Sequence, residues 1–223
     1  MSAVTRARPD RDTLARAALL ANTLVLATLC YVLLTPADLT PARFAFYGLL
    51  WVGIGFAVLF RETTVARSAS TRARRVATGV AAVYLAVLAV AGGIVVPGGV
   101  PAAVANGWFV RVLPPGWGPA LVYGGVDVAV VLTPARVVGY LALAALVRGT
   151  VLDAAGLRSG VPGLLALFSC VSCSLPILAG AAALLFGAGS ALAATTASLS
   201  YDLSTLVFLV TVGLLYWRPL ARR

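Results

Sequence analysis

The stretch Leu14 to Leu34, LARAALLANTLVLATLCYVLL, contains a single charged residue, Arg16, and follows a polar start that carries further arginines. A helix that crosses a bilayer needs about 20 mostly apolar residues, and this run supplies them. The apolar core of a secretory signal peptide is shorter, about 7 to 15 residues. We therefore predict that the run is a retained first transmembrane helix with lipid around it.

The rest of the chain repeats this pattern of apolar runs separated by polar or glycine- and proline-rich breaks. Of its 223 residues, 61% are hydrophobic and 11% are charged, which is more apolar surface than a water-soluble domain of this length can bury. We predict an all-α, polytopic integral membrane protein with a single membrane domain. Six transmembrane helices are expected at about 14–34, 44–60, 76–96, 134–155, 162–186 and 198–217.

Residues 97–132 interrupt the helical pattern and are predicted to form an extracytoplasmic loop. Proline and glycine are dense in its middle, which excludes a continuous spanning helix. The β-branched pieces Trp108–Leu113 and Val126–Leu132 are compatible with short strands, and Trp108 and Trp117 suit the headgroup level. A hairpin, a re-entrant loop and an interfacial helix all remain open for this segment.

Every one of the 17 basic residues is arginine, and the formal net charge is +10. The arginines lie in the gaps between apolar runs, a pattern typical of membrane topology and not of a nucleic-acid-binding face. With six crossings, all but Arg43, Arg111 and Arg136 fall on the same side. Positive residues accumulate on the cytoplasmic side, so we predict a protein of the cytoplasmic membrane with both termini inside, N-in and C-in.

The composition also excludes several kinds of catalytic or metal site. The chain has no histidine, so imidazole can serve neither as a general base nor as a zinc or haem ligand. The one methionine is Met1, and three cysteines are too few for a four-thiolate zinc or iron–sulfur site. No glycine-rich phosphate-binding loop is present. We expect no cofactor and no nucleic-acid partner; the lipid bilayer is the partner that composition predicts.

The only gathering of reactive side chains is the segment Phe168–Pro176, FSCVSCSLP, within the predicted fifth helix. Cys170 and Cys173 are three residues apart, so on a helix they share one face. Pro176 cannot donate a hydrogen bond to the carbonyl of Ser172, and this loosens the helix beside the thiols. A helix start after the break favours a thiolate, and we predict the pair to lie near the middle of the bilayer.

Three interpretations of Cys170 and Cys173 follow. As a redox pair they would alternate between dithiol and disulfide and relay electrons between cytoplasmic and external thiol proteins. As a two-coordinate soft-metal site they would bind Cu(I). As inert small hydrophobes they would only fill space, and the protein would then be a non-catalytic membrane scaffold, an assembly subunit or a transporter-associated subunit. Cys30, near the outer end of the first helix, is expected to be a packing residue.

A transmembrane cysteine followed shortly by proline resembles the membrane thiol-transfer proteins of the cytochrome c biogenesis type, the CcdA/DsbD class. That resemblance implies a six-helix protein that passes reducing equivalents across the bilayer. The segments Phe168–Pro176, Tyr201–Thr205 and Leu214–Pro219 are similar to a group of haloarchaeal multi-pass membrane proteins of unknown function. The second likeness covers roughly the last third of the chain and implies no activity.

Polar and small residues elsewhere in the helices support more local predictions. Asp202, near the outer end of the sixth helix, is expected to be an acidic residue in the first turn that interacts favourably with the helix dipole, rather than a transport site. Arg148 and Asp153 are expected to extend to the cytoplasmic interface. Thr133 and Pro134 predict the start of the fourth helix, with Thr as N-cap. Glycines in the second and third helices are expected to permit close helix contacts; these are Gly48, Gly53, Gly55, Gly92 and Gly93.

Overall fold

The computed structural model describes residues 11–37, 42–62, 70–101, 107–156, 202, 204–206 and 208–213. Its long helices are α1 (Arg11–Leu34), α2 (Ala42–Glu62), α3 (Thr71–Ala91) and α4 (Pro134–Gly156). Four strands lie between α3 and α4: β1 (Val95–Pro97), β2 (Gly107–Arg111), β3 (Ala120–Gly124) and β4 (Val128–Leu132). A shorter apolar helix, α5, spans Ser204–Gly213.

The prediction of an all-α protein with six transmembrane helices is wrong. A four-stranded antiparallel sheet interrupts the helices, and among the described residues four helices, α1 to α4, are long and apolar enough to cross a bilayer. The predicted fifth helix, 162–186, lies outside the described residues, and α5 covers only part of the predicted sixth. The sheet forms because short β-branched and aromatic runs alternate with glycine and proline turns, and strand pairing satisfies the backbone groups.

The bounds of the third helix differ most from the prediction. Helix α3 begins at Thr71 rather than Val76, because the Ser70 hydroxyl accepts a hydrogen bond from the backbone N–H of Ala73 over 3.3 Å. It ends before Gly92 and not at residue 96, since the glycine pair that follows Ala91 turns the chain into β1.

The predicted start of the fourth helix is confirmed, since α4 begins at Pro134 with Thr133 in the N-cap position. The Thr133 carbonyl accepts the hydrogen bond from the N–H of Val137 over 3.0 Å. Its buried hydroxyl has no hydrogen-bond partner among the described residues. The Thr133 cap therefore acts through its backbone carbonyl.

The sheet has the order β1-β4-β3-β2, with every neighbouring pair antiparallel. β2 and β3 are in register from Gly107 opposite Gly124 to Arg111 opposite Ala120. β4 leads into α4 within two residues and β1 closely follows α3, so the sheet is attached to the ends of both helices. We call this end of the helices, which carries Tyr31, Phe44, Gly93 and Arg136, the sheet end. The opposite end, which carries Arg11, Arg61, Arg75 and Arg148, is the arginine end.

Helix α4 packs against both α2 and α3, and the glycines make this packing close. A Cβ atom built on Gly55 would lie 2.7 Å from Cγ1 of Val138 on α4, and one on Gly53 would lie 3.2 Å from Leu24 on α1. Gly92 faces the Tyr140 hydroxyl of α4 in the same way. The predicted close contacts are confirmed at these positions.

An aromatic cluster around Trp51 joins α2, α4 and α5 in the core. The Trp51 ring stacks on Phe208 with centroids 4.1 Å apart and meets Tyr140 edge-on at 6.1 Å. Its indole Nε1 donates a hydrogen bond to the Thr205 hydroxyl over 3.3 Å, so the polar atom of this buried ring is satisfied. Gly139 leaves room for the ring on α4.

Candidate functional site

The cysteine site predicted from sequence, Cys170 and Cys173 with Pro176, lies outside the described residues. Cys30 is exposed on α1, so it is not the packing residue that sequence predicted. Across the described ranges no three Cys, Asp or Glu side chains lie close enough to hold a metal ion. The candidate site in the described part of the protein is therefore the sheet and the residues that hold it.

β2 is an edge strand of the sheet and presents apolar side chains. β3 pairs with one side of β2, and no described strand pairs with the other. The side chains of Trp108 and Val110, which point to the same face, are 60% and 64% exposed. Trp108 contacts Tyr123 on β3 with ring centroids 5.0 Å apart, which orients the indole across the sheet. The edge thus offers unpaired backbone groups and an exposed aromatic side chain.

The segment between β2 and β3, 112–119, fastens the sheet to the helices. The hydroxyl of Tyr31 on α1 donates a hydrogen bond to the carbonyl of Leu113 over 2.8 Å and accepts one from its N–H over 3.3 Å. The Trp117 indole Nε1 donates to the carbonyl of Phe44 over 2.8 Å. The Gly116 carbonyl accepts the N–H at the start of α4 over 2.9 Å. Three helices therefore hold this one segment.

Gly48 and Gly116 allow the same segment to approach α2 closely. A Cβ atom on Gly48 would lie 2.8 Å from both the Pro115 carbonyl oxygen and the Trp117 ring. Gly116 has a positive φ of 85°, which favours glycine, and its Cα faces the backbone of Gly48. Gly48 thus packs against the loop and not, as predicted, against a helix.

A small polar cluster lies at the sheet end, beside α5. Arg43 Nη1 and Asp202 Oδ2 are 3.9 Å apart, with half-exposed side chains. The Tyr47 hydroxyl interacts with the same carboxylate. Asp202 Oδ1 is buried without a hydrogen-bond partner in the described part of the chain. An ion pair this long and exposed is weak, so it contributes little to the attachment of α5 to α2.

Arg136 is also at the sheet end and is held by the turn between α3 and β1. Its Nη1 donates a hydrogen bond to the Gly93 carbonyl over 3.3 Å, and the Tyr140 hydroxyl lies 3.5 Å from the Gly92 carbonyl. These two side chains of α4 satisfy carbonyl groups that the end of α3 leaves open. They fix the point where the sheet leaves the helices.

β1, β3 and the contacts of the loop were not predicted from the sequence, whereas the predicted strand-like piece 126–132 includes β4 and the piece 108–113 overlaps β2. The signal for β3 was available, since ALVYG between Pro119 and Gly125 is an apolar β-forming run bounded by turn residues. The contacts of Trp117 and Tyr31 had no such signal, because their partners lie 73 and 82 residues away in sequence.

Comparison with known proteins places the chain in a family. Residues 1–222 match the model of a family of unknown function, DUF7546. The last third of the chain predicted a likeness to a family without an assigned function. The match confirms such a likeness over nearly the whole chain. No curated protein and no solved structure matches the chain. The chain therefore belongs to the family of unknown function DUF7546.

Proposed function

We propose that the protein is a non-catalytic assembly subunit of the cytoplasmic membrane that holds a partner protein at the free edge of β2. The observation that carries this proposal is the exposure of Trp108 and Val110 on a strand with no described neighbour on its outer side. An open edge invites pairing with another chain, and proteins that do not use such an edge cover it or charge it. On β2 only Arg111, at the end of the strand, is charged.

The distribution of arginine supports an extracytoplasmic position for the sheet. The described arginines of the sheet end are Arg43, Arg111 and Arg136, and those of the arginine end are Arg11, Arg16, Arg61, Arg72, Arg74, Arg75 and Arg148. Positive residues accumulate on the cytoplasmic side of membrane proteins. On this proposal, the partner is reached from outside the cell.

Strand addition is the recognition mode that fits β2. An extended segment of the partner would pair with the backbone of β2, which is five residues long, and main-chain hydrogen bonds would supply affinity. Apolar side chains at alternate positions of that segment would lie beside Trp108 and Val110 and supply specificity. The expected partner is therefore a membrane or external protein with a short extended apolar segment.

The attachment of the sheet favours binding because it reduces the entropy lost on association. The hydrogen bonds of Leu113, Gly116 and Trp117 hold the segment that follows β2, and β4 leads into α4 within two residues. An edge that is already ordered loses less conformational freedom when a partner pairs with it. The same attachment connects partner binding to the helix bundle.

Site-specific cross-linking in native membranes tests this proposal. A photoreactive amino acid at Val110 should form an adduct with one defined protein, and the same group at Val83, which is 67% exposed on α3, should not. The variant Val110→Lys places a charge beside the free edge and should abolish co-purification of that protein. Val126→Lys, at a 52% exposed position outside the strands, is the matched control and should preserve it.

Two results would contradict the proposal. Equal adduct formation from Val110 and Val83 would mean that the edge has no specific partner. An adduct made only of two copies of this chain would replace partner assembly with self-association.

A thiol–disulfide relay is a second candidate, favoured by the spacing of Cys170, Cys173 and Pro176 in the sequence. The relay is supported by the likeness to membrane thiol-transfer proteins of the cytochrome c biogenesis type. A separate likeness, of the last third of the chain to haloarchaeal multi-pass membrane proteins, supports a haloarchaeal origin. The relay would use a dithiol within the bilayer to reduce an external disulfide, with electrons supplied by a cytoplasmic dithiol protein.

Thiol labelling in a Cys30→Ser background tests the relay, because exposed Cys30 would otherwise react with the reagent. Maleimide labelling of Cys170 and Cys173 should rise after reduction of native membranes. Complete labelling without a reductant, unchanged by an oxidant, would exclude the relay. The Cu(I) alternative for the same pair requires tight copper binding by the purified, reduced protein, and that binding should be lost in Cys170→Ser.

A further inference from the structure

An arginine side chain of α4 is held against α3 at the arginine end. The Nε of Arg148 on α4 donates a hydrogen bond to the Thr78 hydroxyl of α3 over 3.2 Å. Arg75 precedes Thr78 by three residues and so lies on the same side of α3, about one turn closer to the helix start. The hydrogen bond therefore holds Arg148 near a second arginine, from a different helix.

The charge at this end is not balanced by acidic residues. The ion pair formed by described side chains, Arg43 with Asp202, is at the sheet end. The described segments at the arginine end, 11–16, 61–62, 70–75 and 148–156, contain seven arginines and three acidic residues. Arginine thus stays in large excess even if every acidic residue in these segments is paired.

The start of α3 increases the positive potential. Its first turns carry Arg72, Arg74 and Arg75 and no acidic residue. The N-terminus of a helix has a partial positive charge, so arginine there is unfavourable unless an anion is nearby. The charges at the start of α3 therefore have the opposite sign to the one that helix stability alone would favour.

These groups lie within side-chain reach of the polar boundary of a bilayer. The apolar span of α3 begins at Thr71, and Thr78 is about 10 Å further along the helix at 1.5 Å per residue. Arg148 is about 6 Å from the end of the α4 span at Leu152. Phospholipid phosphates lie at the ends of these spans, and arginine side chains are long enough to extend toward them.

We infer that Arg75 and Arg148 bind the phosphate of an anionic membrane phospholipid at the groove between α3 and α4, at the arginine end. The planar guanidinium group donates two parallel hydrogen bonds to phosphate oxygens, which suits it to this ligand. Thr78 is a positioning residue that holds the Arg148 guanidinium for the lipid. Gly79 leaves open space beside the site, since no atom lies within 4 Å of a Cβ built on it.

Lipid titration of the purified protein tests this inference. Dioctanoyl phosphatidylglycerol, dioctanoyl phosphatidylcholine and inorganic phosphate are titrated separately in mild detergent, and binding is measured by native mass spectrometry and by thermal unfolding. The anionic lipid should bind tightest and raise the unfolding temperature, while phosphatidylcholine and phosphate should not. Arg148→Gln should weaken binding of the anionic lipid about fivefold, and Arg75→Gln together with Arg148→Gln should weaken it further.

Matched variants separate a site from a general effect of net charge. Arg43→Gln with Arg111→Gln removes the same charge at the sheet end and should leave lipid affinity within twofold of wild type. Thr78→Val keeps both arginines but removes the hydroxyl. It should lower the affinity for the anionic lipid less than Arg148→Gln does.

Several results would overturn the inference. Equal losses of lipid affinity in the sheet-end and arginine-end double variants would mean that net charge alone determines lipid binding. Equal binding of the anionic and zwitterionic lipids by wild-type protein would exclude recognition of the anionic headgroup. A comparable shift with inorganic phosphate would make this a site for free anions and not for lipid. The wild-type measurements decide these last two points even if a variant fails to fold.

Discussion

Trp117, in the loop between β2 and β3, donates a hydrogen bond from its indole Nε1 to the carbonyl oxygen of Phe44 in the first turn of α2, over 2.8 Å. The same ring lies 6.2 Å from Trp51 of the core aromatic cluster. One side chain thus connects the loop, the sheet end of α2 and the core. The sheet is part of the helix bundle and not a loosely tethered appendage.

Substitution of Trp117 should show how much this connection contributes to stability. Trp117→Phe keeps a ring but loses the hydrogen bond, and should lower the free energy of unfolding by about 1 kcal/mol. Trp117→Ala also loses the packing against Gly48 and should cost about 3 kcal/mol. Denaturant titration in mild detergent measures both. Trp108→Ala, on the exposed edge, is the control and should cost less than about 1 kcal/mol. An equal loss in this control would contradict the assigned role.

The close approach of α2 and α4 predicts opposite effects at two glycines. Gly55→Ala places a methyl group 2.7 Å from Val138 Cγ1 and should lower the free energy of unfolding by about 1 to 3 kcal/mol. Gly79→Ala meets no atom within 4 Å and should raise it by about 1 kcal/mol, because alanine favours the helix. The difference between the two unfolding midpoints is the measurement, and a loss at both positions would contradict the prediction.

A second substitution should recover part of the stability that Gly55→Ala loses. Val138→Ala removes the side-chain atom that the new methyl group would meet, so the double variant should be more stable than the sum of the single effects predicts. Recovery should be incomplete, since the Val138 carbonyl oxygen lies 3.1 Å from the same Cβ position. Additive losses would show that the two helices separate instead of clashing locally.

The ion pair between Arg43 and Asp202 should contribute little to the stability of the fold. The charged atoms are 3.9 Å apart and the side chains are 50% and 38% exposed, so water screens the attraction. A double-mutant cycle with Arg43→Gln and Asp202→Asn should give a coupling free energy below about 1 kcal/mol. A coupling above about 2 kcal/mol would instead assign this pair a major part in holding α5.

Labelling in intact cells should report the side of the membrane on which the sheet lies. In a background with Cys30, Cys170 and Cys173 replaced by serine, Val126→Cys should react with a membrane-impermeant maleimide before lysis. Thr71→Cys, at the start of α3, should react only after lysis. The reverse pattern would place the arginine end outside and would contradict the positive-inside argument.

Sequence reasoning located α1, α2 and α4 because a run of about 20 apolar residues is a local signal. It did not establish the sheet, because strand pairing depends on partners distant in sequence and β1 is only three residues long. The arginine distribution also anticipated the excess of charge at one end of the helices. It did not show that Arg148 bonds to Thr78, since those residues lie 70 positions apart.

Helix α1 has a consequence for handling the protein. None of its apolar span is buried, and it contacts the rest of the protein at Leu113 through Tyr31 and at Gly53 through Leu24. If α1 crosses the bilayer, as its length and hydropathy allow, acyl chains surround most of it. Solubilisation removes those chains, so the choice of amphiphile should determine whether this first segment stays docked in a purified sample.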